Sequence, residues 1–297
     1  MGNRPINISI ILFFAMFAVS TSPVVAELLN KNTQVDGVLI AFWRMFFAAA
    51  ILWCFSILYS QGSFKVKKNL IRSVISGFFL GIHFALFFIA LDLTKMANAA
   101  FLGTLTPVFT LIFEITFLKR KFNRWVYLGL GCALIGAFII LFGEPIDSSN
   151  NDMIGNICAL GCSIILAISF LISEKVRNTE NTIVYTRTLY SSATIFLLFI
   201  LFVLSKDFIV VSDGGMIYLG FFFLGLVPTI MGHNAFYYSL KFVKPTIIAT
   251  VPLGEPIIAS IIGYFLIPNE LFTSQWEFTV IGGAISLYGI FLVVRNK

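Results

Sequence analysis

Six ionisable side chains lie inside long apolar segments of this sequence. They are Arg44, His83, Glu114, Arg187, His233 and Glu255. A charge at the depth of a lipid bilayer is costly unless it is paired or lines a polar cavity, so such residues often mark the path of a solute or ion. Carboxylates can bind a cation or a proton, guanidiniums can bind an anion, and imidazoles change charge near neutral pH.

Glu255 lies in 251-VPLGEP-256, at the centre of the apolar run 245–268. Pro252 and Pro256 disturb a helix and free backbone carbonyls one turn back. In lipid those carbonyls need partners or a water-filled cavity. Two interpretations of Glu255 remain open. It handles a solute group or a coupling proton, or it accepts hydrogen bonds or pairs with an arginine and fixes the break.

The two histidines of the chain are 150 residues apart. Each has an aromatic side chain four residues further on, Phe87 after His83 and Tyr237 after His233. Residues at this spacing share one face of a helix. We predict that these four side chains, together with Asn234, line a site for an amphipathic solute. The alternative for each histidine is that it packs within the helix bundle and has no role in binding.

Glu114 shares a helical face with Gly103, Pro107 and Thr110, at spacings of 4, 3 and 4 residues. The pattern predicts that Thr110 contributes to the solute site. Glu114 has two interpretations, a protonatable group in the cavity or a neutral carboxyl held by hydrogen bonds, because burial favours the protonated form.

Arg44 and Arg187 occupy related positions in two similar stretches, 40-IAFWRMFFAAA-50 and 183-IVYTRTLYSSA-193. Each could anchor an anionic solute group or neutralise a buried glutamate. Each could also hold two helices together, or extend its head group toward the membrane surface. Their depth, about eight residues into an apolar segment, favours the structural role.

The composition predicts an all-α integral membrane protein. The chain has 297 residues, of which 59% are hydrophobic and 11% charged, whereas about one quarter of a soluble domain is charged. Ten stretches approach the ~20 residues that a bilayer core requires. They are 6–29, 36–59, 70–91, 96–118, 124–142, 152–173, 181–204, 215–239, 245–267 and 277–294. The short connections leave no room for a soluble domain.

The distribution of Lys and Arg along the chain predicts its topology in the membrane. Most of the 20 Lys and Arg residues fall in the connections on the side of the N-terminus. The positive-inside rule therefore predicts a multi-pass protein of the cytoplasmic membrane with both termini in the cytoplasm. This topology explains the net charge of +6, so basicity does not indicate a nucleic-acid partner.

The sequence contains an internal repeat. The stretches 87–107 and 236–256 align at an offset of 149 residues, and 129-GLGCALIG-136 aligns later with 282-GGAISLYG-289. Matches in the same order along both halves indicate a duplicated five-helix unit. The predicted halves are residues 1–143 and 144–297.

An odd number of spans places the second half upside down relative to the first. Inverted repeats are typical of secondary transporters, which bind solutes near the midplane at broken helices between the repeats. Pro107 and Pro256 meet in the alignment, so we predict matching helix breaks at Pro107 and at Pro252 and Pro256. These breaks make the fourth and ninth spans the first candidates for lining a site.

The stretch 225–270 carries the patterns L-K-x-x-x-P-T and L-G-E-P, and 42-FWR-44 supplies an aromatic-x-Arg. On these motifs the chain resembles EamA-type members of the drug/metabolite transporter superfamily over nearly its whole length. One departure is 117-FLKRKF-122, which lacks the acidic residue often found at the end of the fourth span. The resemblance implies transport of metabolites such as amino acids, nucleotide-like cofactors or drugs, and places the third and eighth spans beside a central cavity.

These features favour a secondary transporter for a small organic solute, such as an amino acid, a related zwitterion or a cationic aromatic compound. Transport would run by alternating access, coupled to protons or to exchange. The chain carries no protease, P-loop or nucleophile motif, so we expect no enzymatic activity, cofactor or metal. The four cysteines lie inside spans and are interpreted as packing residues. The first alternative is a non-transporting receptor or assembly subunit, and the second, which the missing catalytic motifs disfavour, is an intramembrane enzyme. Monomer or homodimer is undecided.

Overall fold

The computed structural model of the protein describes residues 7–33, 35–94, 96–142, 153–210, 215–266 and 276–296. Over these residues the chain forms helices and no strands. Eight helical segments are long and apolar enough to cross a membrane, and two shorter apolar helices, Arg124–Ile140 and Val280–Arg295, complete a set of ten. The prediction of an all-α membrane protein is confirmed.

The ten spans are numbered α1 to α10 in chain order. Seven are continuous: α1 (Ile8–Thr33), α2 (Gly37–Leu58), α3 (Lys67–Leu93), α5 (Arg124–Phe142), α6 (Met153–Arg177), α7 (Thr182–Val203) and α10 (Trp276–Arg295). Three are interrupted: α4 (Met96–Gly103 and Thr106–Thr116), α8 (Met216–Leu224, Gly225–His233 and Asn234–Ser239) and α9 (Pro245–Thr250, Val251–Gly254 and Glu255–Leu266).

The interruptions have different geometries. Span α4 breaks at a turn over Thr104 and Leu105, and Pro107 follows in the first turn of the next helix. Span α9 tightens into a 3₁₀ helix over Val251–Gly254. Span α8 widens into a π-helix over Gly225–His233. Departures of this kind from the α-helix are frequent at functional sites.

The packing of the spans follows a twofold pseudo-symmetry that exchanges the halves. Span α3 packs on α6 as α8 packs on α1, and α4 packs on α6 as α9 packs on α1. The self-related pairs α5 with α10 and α2 with α7 also make extensive contacts. Because each half has five spans, this exchange turns one half upside down relative to the other.

Small residues bring α5 and α10 together. A Cβ atom added to Gly136 would lie 2.4 Å from the carbonyl oxygen of Gly282, and one added to Gly289 would lie 2.4 Å from the amide nitrogen of Ala133. Larger side chains at these positions would force the helices apart. Close approach through glycine is a usual mode of helix association in membranes.

The bundle has two ends. We call "basic end" the end formed by the connections 59–66, 117–123, 178–181 and 240–244, which carry several lysines and arginines. We call "far end" the opposite end, which includes residues 35–36, 94 and 204–210. The interrupted parts of α4, α8 and α9 lie between these two ends, at the depth where a solute site is expected.

Candidate functional site

Arg44 lies at the junction of four helices. Its Nε donates to Thr229 Oγ1 at 2.8 Å, and its Nη1 donates to Ser22 Oγ at 3.0 Å. The guanidinium carbon stands 5.2 Å from the ring centre of Phe84. Arg44 is only 7% exposed, yet its buried Nη2 has no hydrogen-bond partner among the described residues. A buried donor left unpaired is costly, so it indicates a place for an acceptor.

The π-helix of α8 presents Thr229 to this arginine. Pro228 has no N–H, so the carbonyl of Leu224 loses its usual partner four residues on. Thr229 Oγ1 donates to that carbonyl at 2.8 Å. The same hydroxyl then accepts from Arg44, which explains why a break in α8 and a buried arginine on α2 occur together.

Glu255 begins the last segment of α9, directly after the 3₁₀ turn. Its side chain is half-buried, and its carboxylate interacts electrostatically with Arg44. Pro252 lies within the 3₁₀ turn and Pro256 follows Glu255 in the next helix. A Cβ at Gly254 would lie 2.5 Å from Met16 Sδ, so this glycine lets the break approach α1.

The histidines join the same centre. His83 Nδ1 lies 3.0 Å from the carbonyl oxygen of Cys162. His83 interacts electrostatically with Arg44, and His233 interacts with both. Both imidazoles are half-buried although they lie deep within their spans. We call Arg44, His83, His233 and Glu255 the central site.

The break in α4 borders the central site on the side of His83. A Cβ at Gly103 would lie 3.1 Å from the ring of Phe87 and 3.6 Å from Cys162 Sγ. Ser163 Oγ on α6 lies 2.7 Å from the Gly103 carbonyl oxygen, which satisfies one acceptor freed by the break. The buried Thr106 Oγ1 has no partner among the described residues.

The other predicted solute contacts fall in two environments. Asn234 is half-buried, and its buried Oδ1 has no partner within the described structure. Thr110 is fully buried and donates to the Pro107 carbonyl at 3.0 Å. Tyr237 is also fully buried, and its ring packs edge-on against Tyr185. In this conformation Thr110 and Tyr237 belong to the packed interior.

Glu114 lies apart from the central site, near the basic end. Its carboxylate accepts from Arg120 at 2.5 Å, from the Thr246 amide at 2.9 Å and from the Thr246 hydroxyl at 2.5 Å. Arg120 also donates two bonds to Glu174, at 2.8 and 3.0 Å. We call these four residues the basic-end clamp. Glu114 is fully buried and serves as an ion-pair partner.

Sequence reasoning missed Arg120 as the partner of these acids. In the sequence, the stretch 117–122 is distinguished only by its lack of an acidic residue. The available signal was the pair of acids itself, because a buried carboxylate near a basic connection needs a cation.

Arg187 lies at the basic end. Its Nη1 donates to Ser56 Oγ and its Nη2 donates to the Gly62 carbonyl at 2.7 Å. The guanidinium carbon stands 4.4 Å from the centre of the Trp53 ring. These contacts attach α7 to the end of α2 and favour the structural interpretation of Arg187, although its buried Nε has no partner among the described residues.

A third buried acid also organises the basic end. Glu180 accepts from the amides of Lys65 and Val66, at 2.9 and 3.0 Å, and from Asn69 Nδ2 at 3.0 Å. Burial works against its charge, but these hydrogen bonds and the charge of Lys65 outweigh that effect and hold the pKa of Glu180 below its usual value. The carboxylate therefore secures the start of α3.

Comparison with known proteins identifies relatives along the whole chain. The profile of the EamA-like transporter family matches residues 7–142 and again residues 153–295. An uncharacterised transporter of Archaeoglobus fulgidus is 24% identical over 90% of this chain and 90% of its own. The uncharacterised transporter YwfM of Bacillus subtilis is 28% identical over 59% of this chain and 56% of its own.

Two further matches extend this set. The mouse protein called solute carrier family 35 member G1 is 24% identical over 56% of this chain and 47% of its own. A crystal structure superposes with a TM-score of 0.78 at 16% identity, covering 96% of this chain and 95% of that one. At this identity the likeness concerns the fold alone.

Proposed function

Because the chain belongs to the EamA-like transporter family, we propose that it is a secondary transporter that carries a small organic solute by alternating access. The protein lies in the cytoplasmic membrane. Its basic end faces the cytoplasm, in accordance with the distribution of Lys and Arg. The two halves are the inverted repeats 1–143 and 144–297, and the solute binds between them.

The unpaired Nη2 of Arg44 is the observation that carries this proposal. The guanidinium already bonds Thr229 and Ser22, so it is held rigidly with one donor to spare. A carboxylate is the acceptor that best matches such a donor. Glu255 stands close enough to interact with the same arginine, and it offers a negative charge to an ammonium group. Together the two residues suit a zwitterion.

The surroundings set the rest of the solute. Phe84 and Phe87 provide aromatic surface on α3, and His83 and His233 supply imidazoles. A side chain that is apolar or aromatic would be held by such surfaces. The solute class is therefore a zwitterion with an apolar or aromatic side chain, such as an amino acid or a close derivative. Transport is driven by a proton gradient or by exchange.

The experiment begins with thermal-shift measurements on the purified protein. A ligand that binds the folded state raises apparent stability. Matched sets of amino acids, their decarboxylated amines and their deaminated acids test which charges are needed. We expect stabilisation by compounds that carry both charges and not by either partial set.

Flux of the best ligand into proteoliposomes then tests transport itself. Uptake above that of protein-free liposomes is expected. Binding without flux would favour a receptor, and equal stabilisation by amines and zwitterions would refute the role given to Arg44.

A further inference from the structure

The basic-end clamp joins the two halves of the protein. Glu114 lies on the second segment of α4 and Arg120 follows in the connection to α5, both in the first half. Glu174 lies near the end of α6 and Thr246 in the first turn of α9, both in the second half. Arg120 donates to Glu174 and Thr246 donates to Glu114, so these four hydrogen bonds cross between the halves. The clamp therefore holds α4, α6 and α9 together at one end.

Arg120 is the member of the clamp that can leave. It lies in a connection, and its side chain is 28% exposed, whereas that of Glu114 is 0% exposed. Burial lowers the pKa of Arg120, but the hydrogen bonds that it donates to Glu174 and Glu114 more than compensate and raise it. Arg120 therefore departs as a cation or stays bound.

Departure of Arg120 leaves two carboxylates facing each other. Oε1 of Glu114 and Oε1 of Glu174 lie 2.5 and 2.8 Å from the same nitrogen of Arg120, so both oxygens border the space it occupies. Two carboxylates at such a separation do not both stay ionised in a buried place, and one of them takes a proton. Separation of the clamp is thus linked to proton uptake.

Few other charges face the pair. Lys175 on α6 interacts electrostatically with Glu174. On α9 the residue that bonds the pair is the uncharged Thr246. The nearby Lys244 is engaged elsewhere, since it lies over the ring of Phe122 and donates to the Lys121 carbonyl. On α6 Arg177 is occupied by the carbonyls of Tyr237 and Glu180. The remaining charged groups of the adjoining connection are Lys119, Lys121 and, at the start of α5, Arg124. No described cation other than Arg120 bonds both acids.

The charged cluster described at the far end is exposed: Lys206 bonds Asp36 and also interacts electrostatically with Asp92. Gly263 takes the position of Glu114 in the second half. The described ion pair at that end joins Asp36 to Lys206 at 2.6 Å, and these side chains are 20% and 45% exposed. Of the ion pairs described at the two ends, those of the basic-end clamp are therefore the more buried.

We propose that the basic-end clamp is the gate that closes the transport path at this end, and that the gate opens when a proton replaces Arg120 at the carboxylate pair. This proposal rests on the proposed transport function. It gives proton coupling to Glu114 and Glu174, and leaves Glu255 to the solute.

The test uses a cysteine at Thr110 as a reporter. Thr110 is fully buried one turn inward from Glu114, so it is reached from the basic end only when the clamp opens. The carrier is a variant with Cys54, Cys132, Cys158 and Cys162 replaced by serine or alanine. Vesicles with the basic end outward are treated with a membrane-impermeant maleimide, and labelling at fixed pH is compared between variants.

Arg120→Ala should raise the labelling rate about tenfold, because it removes the donor that joins Glu114 to Glu174. The control Lys121→Ala removes the same charge from an exposed neighbour and should leave the rate unchanged. Glu114→Gln with Glu174→Gln removes both charges that hold Arg120 and should label fast. The ratio of the wild-type rate to that of this double variant, in which the pH dependence of the maleimide reaction cancels, should rise as pH falls from 7.5 to 5.5.

Equal labelling of Arg120→Ala and Lys121→Ala would refute the gate. Slow labelling of the double glutamine variant would refute the role of the proton, and a ligand-dependent but pH-independent opening would assign the pair to a cationic solute instead. Labelling does not require transport, so these outcomes stay separate from the flux assay. Faster labelling of Arg120→Ala in a protein that shows no flux would support a gate without the proposed function.

Discussion

Arg44 and Arg187 occupy matching positions in the two halves, and their surroundings differ. Arg187 bonds Ser56, which lies in α2, and Gly62, which lies in the connection that follows α2. Arg44 bonds α1 and the π-helix of α8, packs on α3 and interacts with Glu255 of α9. Arg187 fastens α7 to α2 alone, whereas Arg44 is in contact with several helices and lies near Glu255.

Glu114 of α4 and Glu255 of α9 also differ in how many of their hydrogen-bonding positions are filled. Glu114 is fully buried and accepts from Arg120 and Thr246. Glu255 is half-buried and accepts no hydrogen bond from the described residues, although it lies near Arg44. A saturated carboxylate belongs to the architecture of the protein. An unsaturated carboxylate beside an unsaturated arginine is suited to a ligand, because free binding capacity is what a ligand uses.

Truncation of the two glutamates should separate these roles most sharply. Glu114→Ala leaves the buried amide and hydroxyl of Thr246 without their acceptor and removes one partner of Arg120, and we expect it to lower the free energy of unfolding by about 3 kcal/mol. Glu255→Ala should lower it by less than about 1 kcal/mol, the range of a typical tolerated substitution. Thermal or denaturant unfolding in the same detergent measures both. Equal losses of stability would mean that Glu255 also has a structural role.

The arginines provide the second comparison, now in transport. Arg44→Lys keeps the charge but cannot bond Thr229, Ser22 and a solute from one planar group. Loss of one charge-assisted contact, about 2 kcal/mol, should lower solute flux at low concentration about 30-fold. Arg187→Lys should change flux less than about threefold, because its partners lie outside the central site. A similar loss in both variants would contradict the assignment of Arg44.

Much of the fold follows from the sequence because hydropathy and proline act locally. Ten apolar stretches of bilayer length predicted the ten spans. The interruption beside Pro107 and the 3₁₀ turn at Pro252 follow from the missing N–H of proline. The π-helix of α8 has the same origin in Pro228, but the choice of a wider helix over a kink depends on Thr229, whose hydroxyl takes the freed carbonyl.

The contacts of the sites are harder to predict, because they depend on how helices are placed in space. Arg120 reaches back to Glu114 from beyond the helix end, and only the approach of α6 and α9 makes that contact favourable. Tyr237 shares a helical side with His233, yet it is fully buried against Tyr185 while His233 is half-buried. Helical spacing fixes the direction of a side chain and not what it meets.

Glu180 gives a smaller effect with a definite pH dependence. Because its pKa in the folded protein is below the usual value, the stability that it contributes is complete above the unfolded pKa of about 4.3 and is lost as pH falls below it. Glu180→Gln should cost about 2 kcal/mol at pH 7. The difference between wild type and variant should shrink as pH falls from 5 toward 3.

Glu277 is exposed at the start of α10 and supplies a matched control. Glu277→Gln should leave the acid part of the stability curve as it is in the wild type. If both variants follow the same curve at low pH, the hydrogen bonds to Lys65, Val66 and Asn69 do not stabilise the charged form of Glu180.

The smallest effect is expected at the far end. Asp36 accepts from the Val38 amide at 2.9 Å and so caps α2, and asparagine caps a helix equally well. Asp36→Asn therefore keeps the cap and removes the ion pair with Lys206, together with the repulsion between Asp36 and Asp92. That pair is exposed, so stability should fall by no more than about 1 kcal/mol, and less in high salt.

The pH dependence of this pair is opposite to that of Glu180. The hydrogen bond and charge of Asp36 raise the pKa of Lys206, so the pair stabilises the fold below the unfolded lysine pKa of about 10.4 and its effect fades as pH rises through the folded value. Unfolding at pH 7 and pH 11 in wild type and Asp36→Asn measures this. A loss at pH 7 as large as that of Glu114→Ala would show that both ends are held equally, and would remove the asymmetry from which the gate at the basic end is inferred.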